Sequence, residues 1–209
     1  MIRIYGVMLS DLPTTEELRA LLSAADLAAW SAAHRGVTPS EKHLGSLAGL
    51  YLLRRCVEKG ILTYDEKGRP FFKEKTTTFS ITHTDRAAFL AVCDGTDERR
   101  VGIDAEDEAR LSSINVQALA GRWFSAGELE ELAQSSDPLT FLHIWTKKEA
   151  LLKWRGEGIG MIRRADTSVA ADPGLRFCTY RTGTSIVTLC CDQEQDTPDR
   201  ILMLDRDAL

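Results

Sequence analysis

Apolar residues recur along this chain with two periods, and the changes of period divide it. Near the N-terminus Ile2, Ile4, Tyr5 and Val7 are spaced to face protein, which predicts a strand over 2–8. Helical spacing follows at roughly 14–33. A stronger helix is predicted from about Ser40 to Lys59: Pro39 precedes it, Leu44, Leu47, Ala48, Tyr51, Leu52 and Arg55 line one stripe, and Gly60 ends it. Between 61 and 106 the period shortens. Asp65-Glu66-Lys67-Gly68 is turn chemistry. Phe71-Phe72, Thr78–Thr82, Ala87–Cys93 and Arg100–Ala105 read as short strands, punctuated at Asp85-Arg86 and Asp94-Gly95.

From 113 to 155 helical spacing returns. Ser125-Ala126-Gly127-Glu128 has the form of a capping box. Asp137-Pro138 supplies an N-cap and a first-turn proline for a helix that stops near Gly156. The tail reads as strands at 175–181, Ser185–Cys191 and Arg200–Leu204. The expected class is α+β, with a boundary near 95–103 that leaves two halves of similar size, each mixing helices with antiparallel strands.

Composition narrows the classes. The 209 residues are 44% hydrophobic and 27% charged, ordinary for a globular chain with a real core. No run of about 18 apolar residues is present, so no membrane span is expected, and the first residues lack the apolar core of a signal peptide. A formal net charge of −5 argues against sequence-independent nucleic-acid binding. Five cysteines without a CxxC pair read as buried free thiols in a reducing cytoplasm, and four scattered histidines do not suggest zinc.

Three segments carry chemistry. In Val101-Gly102-Ile103-Asp104-Ala105-Glu106 an apolar strand runs into carboxylates spaced i, i+2, which a strand points to one face. Close carboxylates repel unless a cation lies between them. The other reading is a solvated acidic loop, since Asp107 and Glu108 follow. In Trp145-Thr146-Lys147-Lys148-Glu149-Ala150-Leu151-Leu152-Lys153, the residues Phe141, Trp145 and Leu152 centre the apolar arc, with Lys148 and Glu149 on its two flanks. A functional pair there competes with an ordinary Lys148–Glu149–Lys153 cluster at a surface rim. In Phe79-Ser80-Ile81-Thr82-His83-Thr84, hydroxyls lead into a histidine, a natural phosphate-contacting edge or a simple turn cap. Gly68-Arg69-Pro70 adds a cation on a rigid turn.

Taken in order, GRPFF, FSITHT, VGIDAE, RWFSAGE and WTKKEALLK resemble the motif series of the 4′-phosphopantetheinyl transferases of the surfactin-activating class, over about residues 68–160. The resemblance implies transfer of the phosphopantetheine arm of coenzyme A to a serine of an apo acyl or peptidyl carrier protein, with release of 3′,5′-ADP. It implies two similar α/β halves related by a pseudo-twofold, with the active site in the cleft between them. Residues 1–101 would contact the coenzyme nucleotide, and 102–209 would hold the metal site and catalytic helix. Asp104, Glu106 and Glu149 would hold Mg²⁺, from which oxygen ligands do not distinguish Mn²⁺. Glu149 would complete that site or act as base, and Lys153 would stabilise the departing phosphate. Arg69, Thr82, His83, Asp104, Lys148, Lys153 and Lys42 form the implied coenzyme-binding set, with Arg35 and His43 as further candidates. Glu128 matches a glutamate sometimes near the metal, against its capping-box reading. Arg122, Trp123 and Phe124 are either a carrier-docking edge or core. Arg69 stands where the family usually has lysine, and Thr82 and Thr84 replace serines. A monomer in the cytoplasm, acting on fatty-acid, polyketide or nonribosomal-peptide carriers, is the implied setting. A coenzyme- or carrier-binding module without catalysis and a magnesium-dependent nucleotide phosphohydrolase are the rival classes.

Overall fold

Two strand patterns and one helix stripe account for most of the architecture. The computed structural model describes residues 1–57, 59–94, 99–168 and 173–205. In chain order, β1 (Ile2–Met8) leads to α1 (Thr15–Leu21), α2 (Ala24–Ala33) and α3 (Leu44–Cys56). Next come β2 (Leu62–Tyr64), β3 (Pro70–Phe72), β4 (Thr77–His83), β5 (Ala87–Asp94) and β6 (Val101–Asp107). Then α4 (Val116–Trp123), α5 (Ala126–Gln134) and α6 (Thr140–Arg155) precede β7 (Leu175–Thr182), β8 (Ser185–Asp192) and β9 (Leu202–Leu204). The chain is α+β, as its periodicity predicts. Among the described residues no helix is long and apolar enough to cross a membrane.

One sheet has the order β4-β5-β1-β9 and another β6-β8-β7, with β2 and β3 forming a separate hairpin. Every pairing is antiparallel except β1 with β9, where Tyr5 lies opposite Leu202. The strand predicted at Arg200–Leu204 therefore starts later and extends the first sheet, although it follows the second in sequence. Alternation sends each strand of the large sheets into two cores. Ala87, Phe89, Ala91 and Cys93 meet Val101, Ile103, Ala105, Val187, Leu189 and Cys191 between the sheets. Ala88, Leu90 and Val92 pack instead with Leu47, Leu50 and Leu53 of α3. A third core lies between α6 and its neighbours, centred on Phe141, Trp145 and Leu152 as the helical arc predicts.

The helices correct several expectations. The segment 14–33 is two helices, because Ser23 stops the first and caps the second, its Oγ accepting from Asp26 N at 3.1 Å. The helix predicted from Ser40 to Lys59 begins as a 3₁₀ turn at Glu41–His43 and ends at Cys56, where Val57 is extended. Gly60 is not its stop signal: it takes φ +122°, and a Cβ there would stand 2.6 Å from the Phe72 ring. Nor is α3 buried along one stripe. Residues 47–53 are all buried between α1 and the sheet, while Arg55 is exposed. Asp137-Pro138 does not start α6, which begins at Thr140. Asp137 Oδ1 accepts from Leu139 N at 2.9 Å and closes a preceding turn instead. The region 113–155 is thus three helices, with Asn115 capping α4 and the predicted Ser125–Glu128 box capping α5. Gly156 ends α6 in the left-handed conformation, φ +69°. Turns at Asp65–Gly68 and Thr84–Ala87 join their strands as expected, whereas Gly95 of the Asp94-Gly95 turn lies outside the described residues. The cysteines are free thiols, with Cys93, Cys190 and Cys191 buried and Cys56 and Cys178 half-buried.

Candidate active site

Gly102 decides how close strand and helix come. A Cβ at this position would strike the Ala150 carbonyl oxygen and stand 2.5 Å from Trp154 N, so β6 lies directly against the α6 backbone. Residues 101, 103 and 105 point into the inter-sheet core, which leaves 102, 104 and 106 on the α6 face. The consequence is convergence. Carboxylate oxygens of Asp104, Glu106 and Glu149 all lie within 4.8 Å of one another. The solvated-loop reading of Asp104 does not hold, for this residue is only 4% exposed.

Two cations face these three carboxylates. Lys153 Nζ donates to Asp104 Oδ1 at 2.7 Å and to the Ile103 carbonyl at 2.9 Å. Arg110, in the 3₁₀ turn Glu108–Ser112 after β6, pairs with Glu106 and lays its guanidinium 5.0 Å over the Trp145 ring. Burial, reinforced by the Asp104 charge, raises the Glu149 carboxyl to about 7, with Lys153 and Arg110 opposing the shift. Below about pH 7 the proton that Glu149 retains offsets the charge of the third carboxylate. Asp104 Oδ2 is buried with no hydrogen-bond partner. An unmet buried oxygen among hard carboxylate donors is the environment a divalent cation such as Mg²⁺ or Mn²⁺ satisfies, so the residues present fit the implied metal.

The edge strands β4 and β6 meet at this point through side chains rather than a backbone ladder. Ser80 Oγ accepts from Ile103 N at 3.1 Å, and Thr82 Oγ1 donates to Asp104 Oδ1 at 3.1 Å. His83, at the exposed end of β4, packs its ring on α3. A Cβ on Gly45 would lie 2.6 Å from His83 Nδ1. The protein packed around this ring and the Lys153 ammonium hold it below the ordinary histidine range. Thr84 does not face the cluster. Its Oγ1 accepts from Arg86 N and Ala87 N and shapes the β4–β5 turn.

Two clefts open beside the cluster. One, about 260 Å³, is lined by Arg69, Pro70, Ser80, Ile81, Lys153 and Gly156. Its wall is the β2–β3 hairpin, whose Lys67 Nζ donates to the Gly156 carbonyl at 3.0 Å. The other, about 610 Å³, is lined by His83, Arg86, Glu106, Asp107 and Arg110. Lys42 lies in neither. It is exposed on the 3₁₀ turn just before α3, beside His43, whose ring caps that turn against Ser40. Arg35 is exposed with φ +57° at the end of the α2 loop.

Lys148 and Glu128 turn away from the cluster, which separates Lys148 from Lys153, its companion in the implied coenzyme set. Both side chains are 0% exposed. Lys148 Nζ donates to Glu128 Oε2 at 2.6 Å and to the Ala165 carbonyl. Glu128 also accepts from Thr167 N, Thr167 Oγ1 and Ser125 N, each at 2.8 Å. Successive helix positions differ by about 100°, so Glu149 at the β6 seam leaves Lys148 on the α5 side. The capping-box reading of Glu128 is the observed one. Of the proposed docking edge, Phe124 is core, stacked 5.2 Å from Phe141, while Arg122 is exposed over Trp123.

Arg110, Gly45 and Thr167 escaped sequence reasoning, and Ser80, read there as a candidate phosphate contact, bonds Ile103 N instead. Only Arg110, a cation four residues beyond Glu106, left a trace that charge spacing could have caught.

Residues 100–201 match the profile of the 4′-phosphopantetheinyl transferase superfamily. Among curated proteins, the chain is 30% identical over 141 residues to the 4′-phosphopantetheinyl transferase AcpT of Salmonella typhi, covering 65% of this chain and 71% of that one. It is 30% identical over 168 residues to the 4′-phosphopantetheinyl transferase HetI of Nostoc sp., covering 74% of this chain and 68% of the relative. The 4′-phosphopantetheinyl transferase gsp of Aneurinibacillus migulanus is 30% identical over 125 residues, 54% of this chain and 49% of the relative. The matched region contains β6, α6 and with them all three converging carboxylates, and on these likenesses the chain belongs to the 4′-phosphopantetheinyl transferase superfamily and is a transferase of that kind.

Proposed function

We propose that this protein transfers 4′-phosphopantetheine from coenzyme A to a serine of an apo acyl or peptidyl carrier protein, releasing 3′,5′-ADP, in the manner of the surfactin-activating class. The observation that carries this reading is the convergence of Asp104, Glu106 and Glu149, together with a buried oxygen of Asp104 that lacks a hydrogen-bond partner. Mg²⁺ or Mn²⁺ held there would neutralise charge on the pyrophosphate oxygens. The serine oxygen attacks the phosphorus that carries pantetheine. A new P–O bond forms, the bond to the bridging oxygen breaks, and 3′,5′-ADP leaves. Glu149 would complete the metal site or take the serine proton. Lys153, fixed by Ile103 O and Asp104, meets the charge that develops on the departing phosphate. Arg69 and His83, from the two clefts that flank the cluster, would hold the nucleotide end, His83 at its 3′-phosphate.

The division at 101/102 goes with this reading, as two halves related by a pseudo-twofold, a nucleotide-binding half and a catalytic half in one cytoplasmic monomer. The gathering of Asp104, Glu106, Glu149 and Lys153 at one place favours catalysis over a binding module. The test is the mass of an apo carrier protein after incubation with coenzyme A and Mg²⁺. A gain of one phosphopantetheine is expected. Release of 3′,5′-ADP with the carrier unmodified would mark a hydrolase instead.

A further inference from the structure

Glu106 meets two demands at once. It is one of the three converging carboxylates, and it is also the ion-pair partner of Arg110. The guanidinium is held on its other face by the Trp145 ring and stands at the border of the larger cleft, beside Arg86 and His83. A divalent cation on Glu106 would place a doubly charged ion next to this guanidinium. Like charges at that range repel strongly unless an anion comes between them. Lys153 already has Asp104 and a carbonyl to hold it. Among the described residues Arg110 has Glu106, the carboxylate that the cation would take, as its ion-pair partner, and it lines the larger cleft.

From this juxtaposition we propose that Arg110 exchanges partners, releasing Glu106 when the divalent cation binds and pairing with a phosphate oxygen of the substrate in the larger cleft. This rests on the transferase reading of the site. Arg110 is then a device that couples metal to coenzyme. Without coenzyme it competes with the metal for Glu106; with coenzyme bound it rewards the same metal with a second ion pair. Guanidinium geometry suits the exchange, because its planar fork can stay on the Trp145 face while its edge turns from carboxylate to phosphate.

The test is Mn²⁺ binding to the full chain, measured by electron paramagnetic resonance with and without coenzyme A, and with no carrier protein present so that no transfer occurs. Arg110→Met should bind Mn²⁺ about five- to tenfold more tightly than wild type when coenzyme is absent, the release of a modest ion-pair competitor. The tightening of Mn²⁺ by coenzyme A should shrink in the variant by about tenfold, and reciprocally that of coenzyme A by Mn²⁺. A purely structural role for Arg110 would leave this coupling unmoved. Should Arg110→Met lose the fold, Arg110→Gln, which retains packing on Trp145 and removes the charge, carries the same comparison. Wild-type Mn²⁺ affinity and wild-type coupling in the folded neutral variant would overturn the proposal. Failure of the wild type to bind Mn²⁺ even with coenzyme A removes the metal reading itself, and this inference with it.

Discussion

Two adjacent residues of α6 lead into two acidic sites of opposite character. Lys148 enters a sealed pocket in which Glu128 accepts four protein hydrogen bonds and neither side chain touches solvent. Glu149 enters a cluster in which one buried carboxylate oxygen has no partner and a carboxyl is pushed up to about 7. Charge alone does not separate them, since each joins glutamate to lysine or arginine. Completeness does. A buried ionic network with every polar atom satisfied fixes structure, whereas one left short of a cation is arranged for something that arrives later.

The comparison breaks most visibly in paired substitutions. Lys148→Met leaves Glu128 buried without its cation and should cost about 3–5 kcal/mol of stability, read by urea unfolding and unaffected by Mg²⁺. Asp104→Asn should do the reverse. The folded protein persists while transfer to a carrier protein falls by at least about a hundredfold, because a metal ligand is lost. If Lys148→Met is as stable as wild type but inactive, the two sites have been assigned the wrong way round.

A smaller effect sharpens the contrast through ligand linkage. Mg²⁺ at about a hundred times its dissociation constant should raise wild-type stability by about 2.7 kcal/mol. The same addition should do nothing for Asp104→Asn, and should stabilise Glu128→Gln by the wild-type increment even though that variant starts lower. Thermal unfolding with and without the cation reads all three.

Titration gives a further handle. The folded protein holds the Glu149 proton up to about pH 7, the unfolded chain only to the ordinary value near 4.5. Between these values the native state binds more protons, so without metal its stability falls as pH rises through this window, by on the order of 3 kcal/mol. Glu149→Gln removes that slope. Its advantage over wild type should be absent below pH 4, grow to pH 7 and then level off. Mg²⁺ should act with the opposite sign, stabilising the wild type more as pH rises, because it replaces the proton.

Much of this was legible in the chain, and what was not has a physical reason. Short apolar runs bounded by turn residues located β1, β4, β5, β6, β7 and β8, since strands that feed two cores, such as β5 and β8, stay apolar at nearly every position. The spacing of Asp104 and Glu106 gave their common face, and α6 was placed to within two residues of its start. Helix ends were read less well where a side chain such as Ser23 caps one helix by interrupting another, or where Gly60 serves a ring instead of a turn. The direction of Lys148 was illegible, since a lysine on the flank of a stripe looks the same whether it leads to solvent or to Glu128. The partners of that pocket, Ala165 and Thr167, lie in a segment without periodicity. The return of β9 to the first sheet left no local signal either, because pairing of distant strands is not written in either strand alone.

The smallest expected effect concerns the hydroxyl between the two large sheets. Thr82 Oγ1 donates to Asp104 Oδ1, the oxygen that also receives Lys153, and so helps fix the carboxylate whose Oδ2 has no partner. Thr82→Val keeps the volume and deletes the donor, which should weaken Mn²⁺ binding to the coenzyme-free protein by about two- to tenfold, the worth of one hydrogen bond to a positioned ligand. Thr82→Ser should restore it. The family resemblance instead gives this hydroxyl to the coenzyme, and the two roles part company in the same experiment. A coenzyme contact would raise KM for coenzyme A in Thr82→Val and leave coenzyme-free metal affinity untouched. A change in metal affinity before any coenzyme is added assigns the hydroxyl to Asp104, and with it places the unsatisfied site, unlike the sealed one, under the control of both sheets.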